Sequence, residues 1–373
     1  LALISLVAFA GGIQNTHQKF SIPAFTPVVF NLSLIVAATL VAPKYEVPIY
    51  VLAWGVLLAG FVQLLIQIAP LKSIDRLPTP KLNFKNKGVR KFFVVILPAI
   101  LAGGIIQINL LVDTIFASLL ETGSPTWLYV SDRLVQFPMG IFAIAIGTVL
   151  LPTLSKLNPI TEKNNFVNSI KKGQRFVLFI GIPSLIGLLF CAEDLISTIF
   201  YRGAFTEIDV LKSSYSLMAF SFGLPFFMLM KVLTPAFFAQ KNTKTPMYVA
   251  ILSLILNATL NYLLAFVFNL GHVGIAIGSS ISALISVFIL EIILYRDGLL
   301  IIQNIFNRFN LMIIFASSSL IIFLYLYTSW TDFIKFNQIE RFLYLSLEII
   351  ISIAIYFSIS RLIYNRPLKE MFK

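Results

Sequence analysis

Apolar residues in this chain come in long unbroken runs, with polar residues confined to short stretches between them. A membrane β-strand would alternate apolar and polar positions over ~10 residues. Runs of about 20 apolar residues instead match the length a helix needs to cross a bilayer core. Reading the Gly, Pro and charge punctuation between runs predicts eleven spans. They cover residues 1–16, 24–42, 48–69, 92–119, 126–153, 174–192, 212–239, 246–268, 272–295, 309–328 and 341–362. The fold class is therefore an all-α integral membrane protein, a polytopic helical bundle. Leu1 falls in an apolar run with no basic segment before it, so it reads as the interior of a helix whose N-terminal continuation is missing.

Composition agrees: the chain is 58% hydrophobic and 12% charged, where soluble domains carry about 25% charge. The net charge of +12 by itself suggests a nucleic-acid partner, but its placement removes that reading. Alternate loops hold 21 Lys and Arg on one side and 5 on the other. By the positive-inside rule the rich side is cytoplasmic, which puts the start of the chain outside and its end inside. The basic residues are topology determinants that can touch anionic lipid. Cys191 is alone, which excludes an internal disulfide, and His17 and His272 form no cluster. There is no Gly-rich phosphate loop and no nucleophile elbow, so no catalytic residues are expected. A linker rich in Pro, Asn and Lys at 71–91 reads as the boundary between two bundles. The outer loop from Cys191 to Lys212 contains ISTIFYRGAF, expected to lie along the membrane surface as an amphipathic helix.

The chain is organised around Gln107–Ser155, two apolar runs joined by Glu-Thr-Gly-Ser-Pro and carrying Asp113, Asp132 and Arg133. An ion at bilayer depth costs at least ~2.5–3.5 kcal/mol, so it faces a wet cavity or a partner. Asp132 and Arg133 either neutralise each other at a helix end, snorkelling outward, or serve a polar substrate. Pro138, Gly140, Gly147, Pro183, Pro225 and Pro235, with Pro98, Gly103 and Gly104, recur within or beside spans. Such breakers serve either helix packing or bends beside a cavity.

Few other polar groups lie inside spans. Asn109 and Asp113 are four apart, as are Asn257 and Asn261, so each pair shares a helix face. With Ser279 they supply hard oxygen ligands, and Asp113, Asn257, Asn261 and Ser279 are a candidate Na⁺ site. The competing reading is a set of interhelical hydrogen bonds. Lys231 neutralises a carboxylate, contacts an anionic substrate, or snorkels. Glu291 and Glu348 are expected to snorkel or cap near helix ends. Trp127 and Trp330 are expected at the outer interface, as an aromatic belt predicts.

Several strings together resemble the bacterial lipid II flippases, the MurJ/MviN family of the MOP exporter superfamily. They are NTHQKFSIPAFTP at 15–27 with Asn31, QINLLVDTIFAS at 107–118, and Gly123–Ser124. YVSDRLVQFP at 129–138 follows, with Gly140 and Ile141, then AIGTVLLPTLS at 145–155, FYRGAFT at 200–206 and KVLTPAFFAQKNTKTP at 231–246. The resemblance implies a fourteen-helix fold. Two six-helix lobes surround a central cationic cavity, and two C-terminal helices form a lipid-tail groove. On this chain 1–70 would end the first lobe, 71–91 link, 92–296 form the second lobe, and 297–373 hold the groove helices and tail. About eleven of fourteen helices are present. It implies that Arg133, preceded by Asp132, binds the substrate diphosphate, since a guanidinium fork donates two charge-assisted bonds. Ser118, Gly123 and Ser124 match the family at the cavity rim, and Lys231 is a further candidate substrate contact.

The implied activity is flipping lipid II from the cytoplasmic to the periplasmic leaflet of the bacterial inner membrane, with no cofactor and Na⁺ as a candidate coupling ion. The implied partners are lipid II and membrane lipids, with no nucleic acid, and a monomer suffices. The competing readings are a multidrug or polysaccharide-precursor exporter of the same superfamily, a membrane-embedded transferase, and a non-transporting scaffold. A transferase would need a carboxylate or histidine cluster at the interface, and none is visible.

Overall fold

The structure, a computed structural model, describes residues 2–17, 19, 21–75, 104, 105, 107–300, 307–331 and 333–364. From residue 76 the linker expected at 71–91 lies outside them, as do Pro98, Gly103, the start of the span expected at 92–119 and the tail after Tyr364. All the described regular structure is helical. Nine described helices are long and apolar enough to cross a membrane, and two shorter ones, Ala2–Thr16 and a helix over 107–118, fall on the remaining expected spans. The chain divides into two compact units, Leu1–Phe93 and Val94–Lys373.

The first unit holds α1 (Ala2–Thr16), α2 (Ser21–Val36) and α3 (Pro48–Ser73). Pro27 lies within α2, and the helix runs on through a π-helical turn at Ala37–Val41. In lipid there is no hydrophobic drive between helices, so close packing and interhelical hydrogen bonds hold them. The side chain of Gln63 donates to the Thr26 carbonyl at 2.6 Å, Gln67 to the Val7 carbonyl at 3.2 Å, and Gln14 to Gln67 Oε1 at 3.1 Å. These three amides tie both shorter helices to α3.

The second unit begins with α4 (residues 107–118) and α5 (Ser124–Pro138). A π-helical turn, Met139–Ala143, joins α5 to α6 (Ile144–Ser155) as one bent span. Pro138 accounts for the bend: its ring removes one N–H and crowds the carbonyl four residues earlier, so the hydrogen-bond ladder widens. Next come α7 (Lys163–Phe190), α8 (Ala192–Phe200) and α9 (Glu207–Ala239). After them α10 (Lys244–Tyr262) ends in a π-helical turn, Leu263–Val267, and beyond a short non-helical turn α11 (Gly271–Arg296), α12 (Arg308–Trp330) and α13 (Gln338–Tyr364) follow.

Helix α9 is the axis of this unit. Leu217, Leu224, Met228, Val232, Leu233, Ala236 and Phe237 are all buried in one core with residues of α5, α6, α7 and α11. Small residues allow the approach: a Cβ on Gly181 would stand 3.3 Å from the Met228 sulfur, and one on Gly147 3.1 Å from the Lys231 carbonyl. Its N-terminus is closed by a capping box, in which the Thr206 hydroxyl accepts from the Asp209 N–H and the Asp209 carboxylate accepts from the Thr206 N–H at 2.7 Å.

Two expectations about helix extent change. Helix α7 starts eleven residues before the expected 174, because Phe166, Val167 and Ile170 give its polar first turns a buried face. The surface helix expected over 196–205 is instead Ala192–Phe200, and Ala192, Asp194, Ile196, Ser197 and Thr198 are buried. Glu193 favours its start through the helix dipole, and Gly203 at φ +62° ends the helical path.

Candidate functional site

The turn between α4 and α5 sets the outer corner of the second unit. Gly123 has φ +106°, a conformation open mainly to glycine, and a Cβ there would stand 2.6 Å from the Trp127 ring. Trp127 is 3% exposed, so it is a core residue and the aromatic-belt expectation fails for it. Its Nε1–H donates to Asp209 Oδ1 at 2.7 Å. The His272 ring packs edge-on against it at 4.9 Å, and Lys212 Nζ lies 5.6 Å from its centre while bridging to Glu121 at 3.1 Å. His272 in turn hydrogen-bonds Ser216 at 2.6 Å. This polar junction of α5, α9 and α11 escaped sequence reasoning. Its one local signal was the Thr206–Asp209 capping pattern, which marks where α9 begins beside α5. Trp127→Phe should cost about 1.5 kcal/mol by thermal unfolding, the worth of a hydrogen bond to a charged group.

Ser124 is fully buried and its hydroxyl has no partner among the described residues. Ser118 is exposed and donates to its own helix at Ile115 O, 2.7 Å. Gly123 and Ser124 therefore build the corner, and of the three rim matches Ser118 alone faces outward.

Asp132 and Arg133 part from each other along α5. The Asp132 carboxylate accepts from the Gln136 amide one turn later, while the Arg133 guanidinium lies 4.7 Å over the Tyr129 ring one turn earlier. Among the described residues the ion pair is Lys212–Glu121, so the mutually neutralising reading is not what forms. Arg133 remains exposed and can donate to an anion. Lys231 is also exposed, in the last third of α9, with no carboxylate in ion-pair distance among the described residues.

The four oxygen-bearing residues expected to form a cation site do come together, across α4, α10 and α11. The Asn257 amide donates to Ser279 Oγ at 3.0 Å. The Asn261 amide donates to Asn257 Oδ1 at 3.0 Å and to Asp113 Oδ1 at 2.6 Å, and Asn109 reaches Asp113 Oδ2 at 3.4 Å. Asn257 and Asn261 are buried. Asn261 Oδ1 is buried with no partner among the described residues, and Gly278 lies against it where any Cβ would clash. The interhelical hydrogen bonds of the bland reading are thus present, and so is an orphaned oxygen beside a carboxylate. That donor set fits a monovalent hard cation held by Asp113, Asn257, Asn261 and Ser279. No group of three or more His, Cys, Asp or Glu suited to a metal occurs among the described residues.

Glu291 and Glu348 depart from expectation. Glu291 accepts from Gln174 across α7 and α11 at 2.8 Å. Glu348 is 0% exposed and accepts from the Cys191 thiol at 3.1 Å. Neither snorkels, because each finds a donor on a facing helix.

Bent apolar spans packed around one central helix, with amides and carboxylates bonded between them, define a polytopic helical membrane protein of transporter build. Residues 1–345 match the family described as lipid II flippase MurJ, and the chain belongs to that family. It is 42% identical over 298 residues to a probable lipid II flippase MurJ of Vibrio cholerae, covering 80% of this chain and 56% of the relative. It is 35% identical over 303 residues to the lipid II flippase MurJ of Burkholderia cenocepacia, covering 80% and 58%. A solved lipid II flippase MurJ in an inward closed conformation superposes with a TM-score of 0.77 at 28% identity, covering 97% of this chain and 72% of that one. The chain thus spans somewhat more than half the length of these curated relatives.

Proposed function

We propose that this chain forms the larger part of a flippase that moves lipid II from the cytoplasmic to the periplasmic leaflet of the bacterial inner membrane, its C-terminus facing the cytoplasm. The observation that carries the reading is the exposed Arg133 guanidinium, set on the α5–α6 span and making no contact ion pair with Asp132. Asp132 and the exposed Lys231 and Ser118 lend further polar groups toward the headgroup. The family membership and the superposition with a solved flippase support the same reading. A pyrophosphate is met by charge-assisted hydrogen bonds, and alternating exposure of the site would carry the polar headgroup across while its polyprenyl tail stays in lipid. The test is complementation: the full-length gene should rescue cells depleted of their lipid II flippase. Failure to rescue by a well-expressed, inserted protein would end the reading.

Na⁺ is the proposed coupling ion, held at Asp113, Asn257, Asn261 and Ser279. Sodium at about 100 times its dissociation constant should stabilise the wild type by about 2.7 kcal/mol, read as a rise in thermal midpoint. Asp113→Ala should show no such rise, and equal responses would remove the site.

A further inference from the structure

The last helix is fastened to the rest of its unit at several heights. At one end the Gln338 amide donates to the Thr198 carbonyl at 3.0 Å. Arg341, three residues on, lies 4.6 Å over the Tyr201 ring while donating to the Phe333 and Ile334 carbonyls. At the other end the Tyr356 hydroxyl donates to the Phe179 carbonyl at 2.8 Å, and Arg308 donates to the Ile363 carbonyl at 3.1 and 3.2 Å. Between these lies Glu348, facing Cys191 and the first turn of α8. The other fastenings are neutral or satisfied by carbonyls. The one at Glu348 is different.

Glu348 is 0% exposed and its Oε2 has no hydrogen-bond partner among the described residues. Asp194, three residues past Cys191 on the first turn of α8, is 7% exposed, and its Oδ2 is likewise buried without a partner among the described residues. Glu348 is hydrogen-bonded to the Cys191 thiol, and two buried carboxylates around one thiol do not both ionise without a cation nearby. No Lys or Arg among the described residues lies within ion-pair distance of either. The groups that act on the pair through space are Glu193 on α8, the Cys191 thiol where α7 meets α8 and Tyr327 on α12. The nearest guanidinium on α13, Arg341, is committed to loop carbonyls. Burial pushes the Cys191 thiol up, so it stays protonated and donates to Glu348.

We propose that Glu348 and Asp194 form a proton-binding site, one exchangeable proton being held on the pair while α13 is docked on α8. The ligand is a proton and not a metal, since the only donor set here is two carboxylates and a thiol that remains protonated. Loss of the proton leaves two buried charges facing each other, and the relief is for α13 to leave α8. The site is separate from the Asp113 network on α4, α10 and α11, and it holds whether or not Na⁺ drives transport.

The sign follows from Asp194. Burial and the carboxylates of Glu348 and Glu193 hold it at about 8, against 3.8 in the unfolded chain. The docked state therefore binds the proton more tightly than the undocked one. Docking is strongest at the acid end of that window, weakens by at most about tenfold per pH unit as pH rises through it, and stops changing above it. The full-length protein, in lipid nanodiscs, is to be followed by hydrogen exchange of α13 between about pH 5 and about pH 9, corrected for intrinsic rates. Opening of α13 should increase by more than about tenfold across this range and then level off, and Glu348→Gln and Asp194→Asn should each flatten the rise. Infrared spectra of the wild type should show a protonated-carboxyl carbonyl band that titrates away over the same range and is missing in either variant. A pH-independent α13, or a wild-type spectrum in which no such band is lost on Glu348→Gln or Asp194→Asn, overturns the proposal. If one variant fails to fold, the wild-type titration and the other variant still decide it.

Discussion

Arg133→Ala in the full-length protein should lower headgroup flipping by about 10- to 100-fold while insertion and thermal stability stay near wild type. A hydrogen bond to a charged partner is worth ~1.5–3 kcal/mol, and each ~1.4 kcal/mol is tenfold in binding. The stability side is small because the described contact of the guanidinium is its approach to the Tyr129 ring, an exposed cation–π contact of ~0.5–1 kcal/mol. Arg133→Lys should fall in between, since an ammonium keeps the charge and loses the two-pronged geometry. A reconstituted flipping assay with a fluorescent lipid II measures the rate, and surface labelling measures insertion. Wild-type flipping by Arg133→Ala would remove this residue from the substrate path.

Gly274→Ala should be the most damaging single substitution in the α10–α11 hairpin, costing about 2–3 kcal/mol. A Cβ at this position would meet the Ala265 backbone nitrogen and the Leu264 carbonyl carbon, both at 2.7 Å. Those atoms belong to the π-helical turn Leu263–Val267, and Ala265 is itself buried at 3% exposure. A flexible side chain could swing aside, but backbone in a packed turn cannot, so the clash spreads into both helices. Gly187→Ala is the control. It lies in α7 with nothing within 4 Å of its built Cβ, and should be neutral or stabilising by about 0.5–1 kcal/mol. Thermal unfolding of the two variants side by side makes the comparison. Equal midpoints would show that the hairpin tolerates wider separation than its geometry suggests.

Much of this architecture can be read from the chain because a bilayer narrows the choices. Apolar run length located the helices, and Asn257 and Asn261 at four-residue spacing pointed to one polar face before Asp113 and Ser279 were seen beside them. What stayed hidden depends on rotation about helix axes, which hydropathy does not report. Trp127 reads from hydropathy as an interfacial residue, yet its ring is buried and bonds Asp209 on α9. Glu348 sits ten residues from the start of α13, close enough to an end to suggest snorkelling, yet it points at Cys191. The polar first turns of α7 looked like loop until Phe166 and Ile170 gave them something to bury.

Of the three described π-helical turns, Met139–Ala143, with α-helix on both sides, carries a consequence for anyone mapping this chain by scanning substitution. Each wide turn spends an extra residue on the same arc, which advances everything beyond it by about 100° of azimuth relative to a straight α-helix. A helical wheel drawn through Ser124–Ser155 as one cylinder would therefore mistake lipid-facing positions for interior ones past Ala143. Periodicity in such data has to be fitted in two phases, with the break placed at Met139–Ala143.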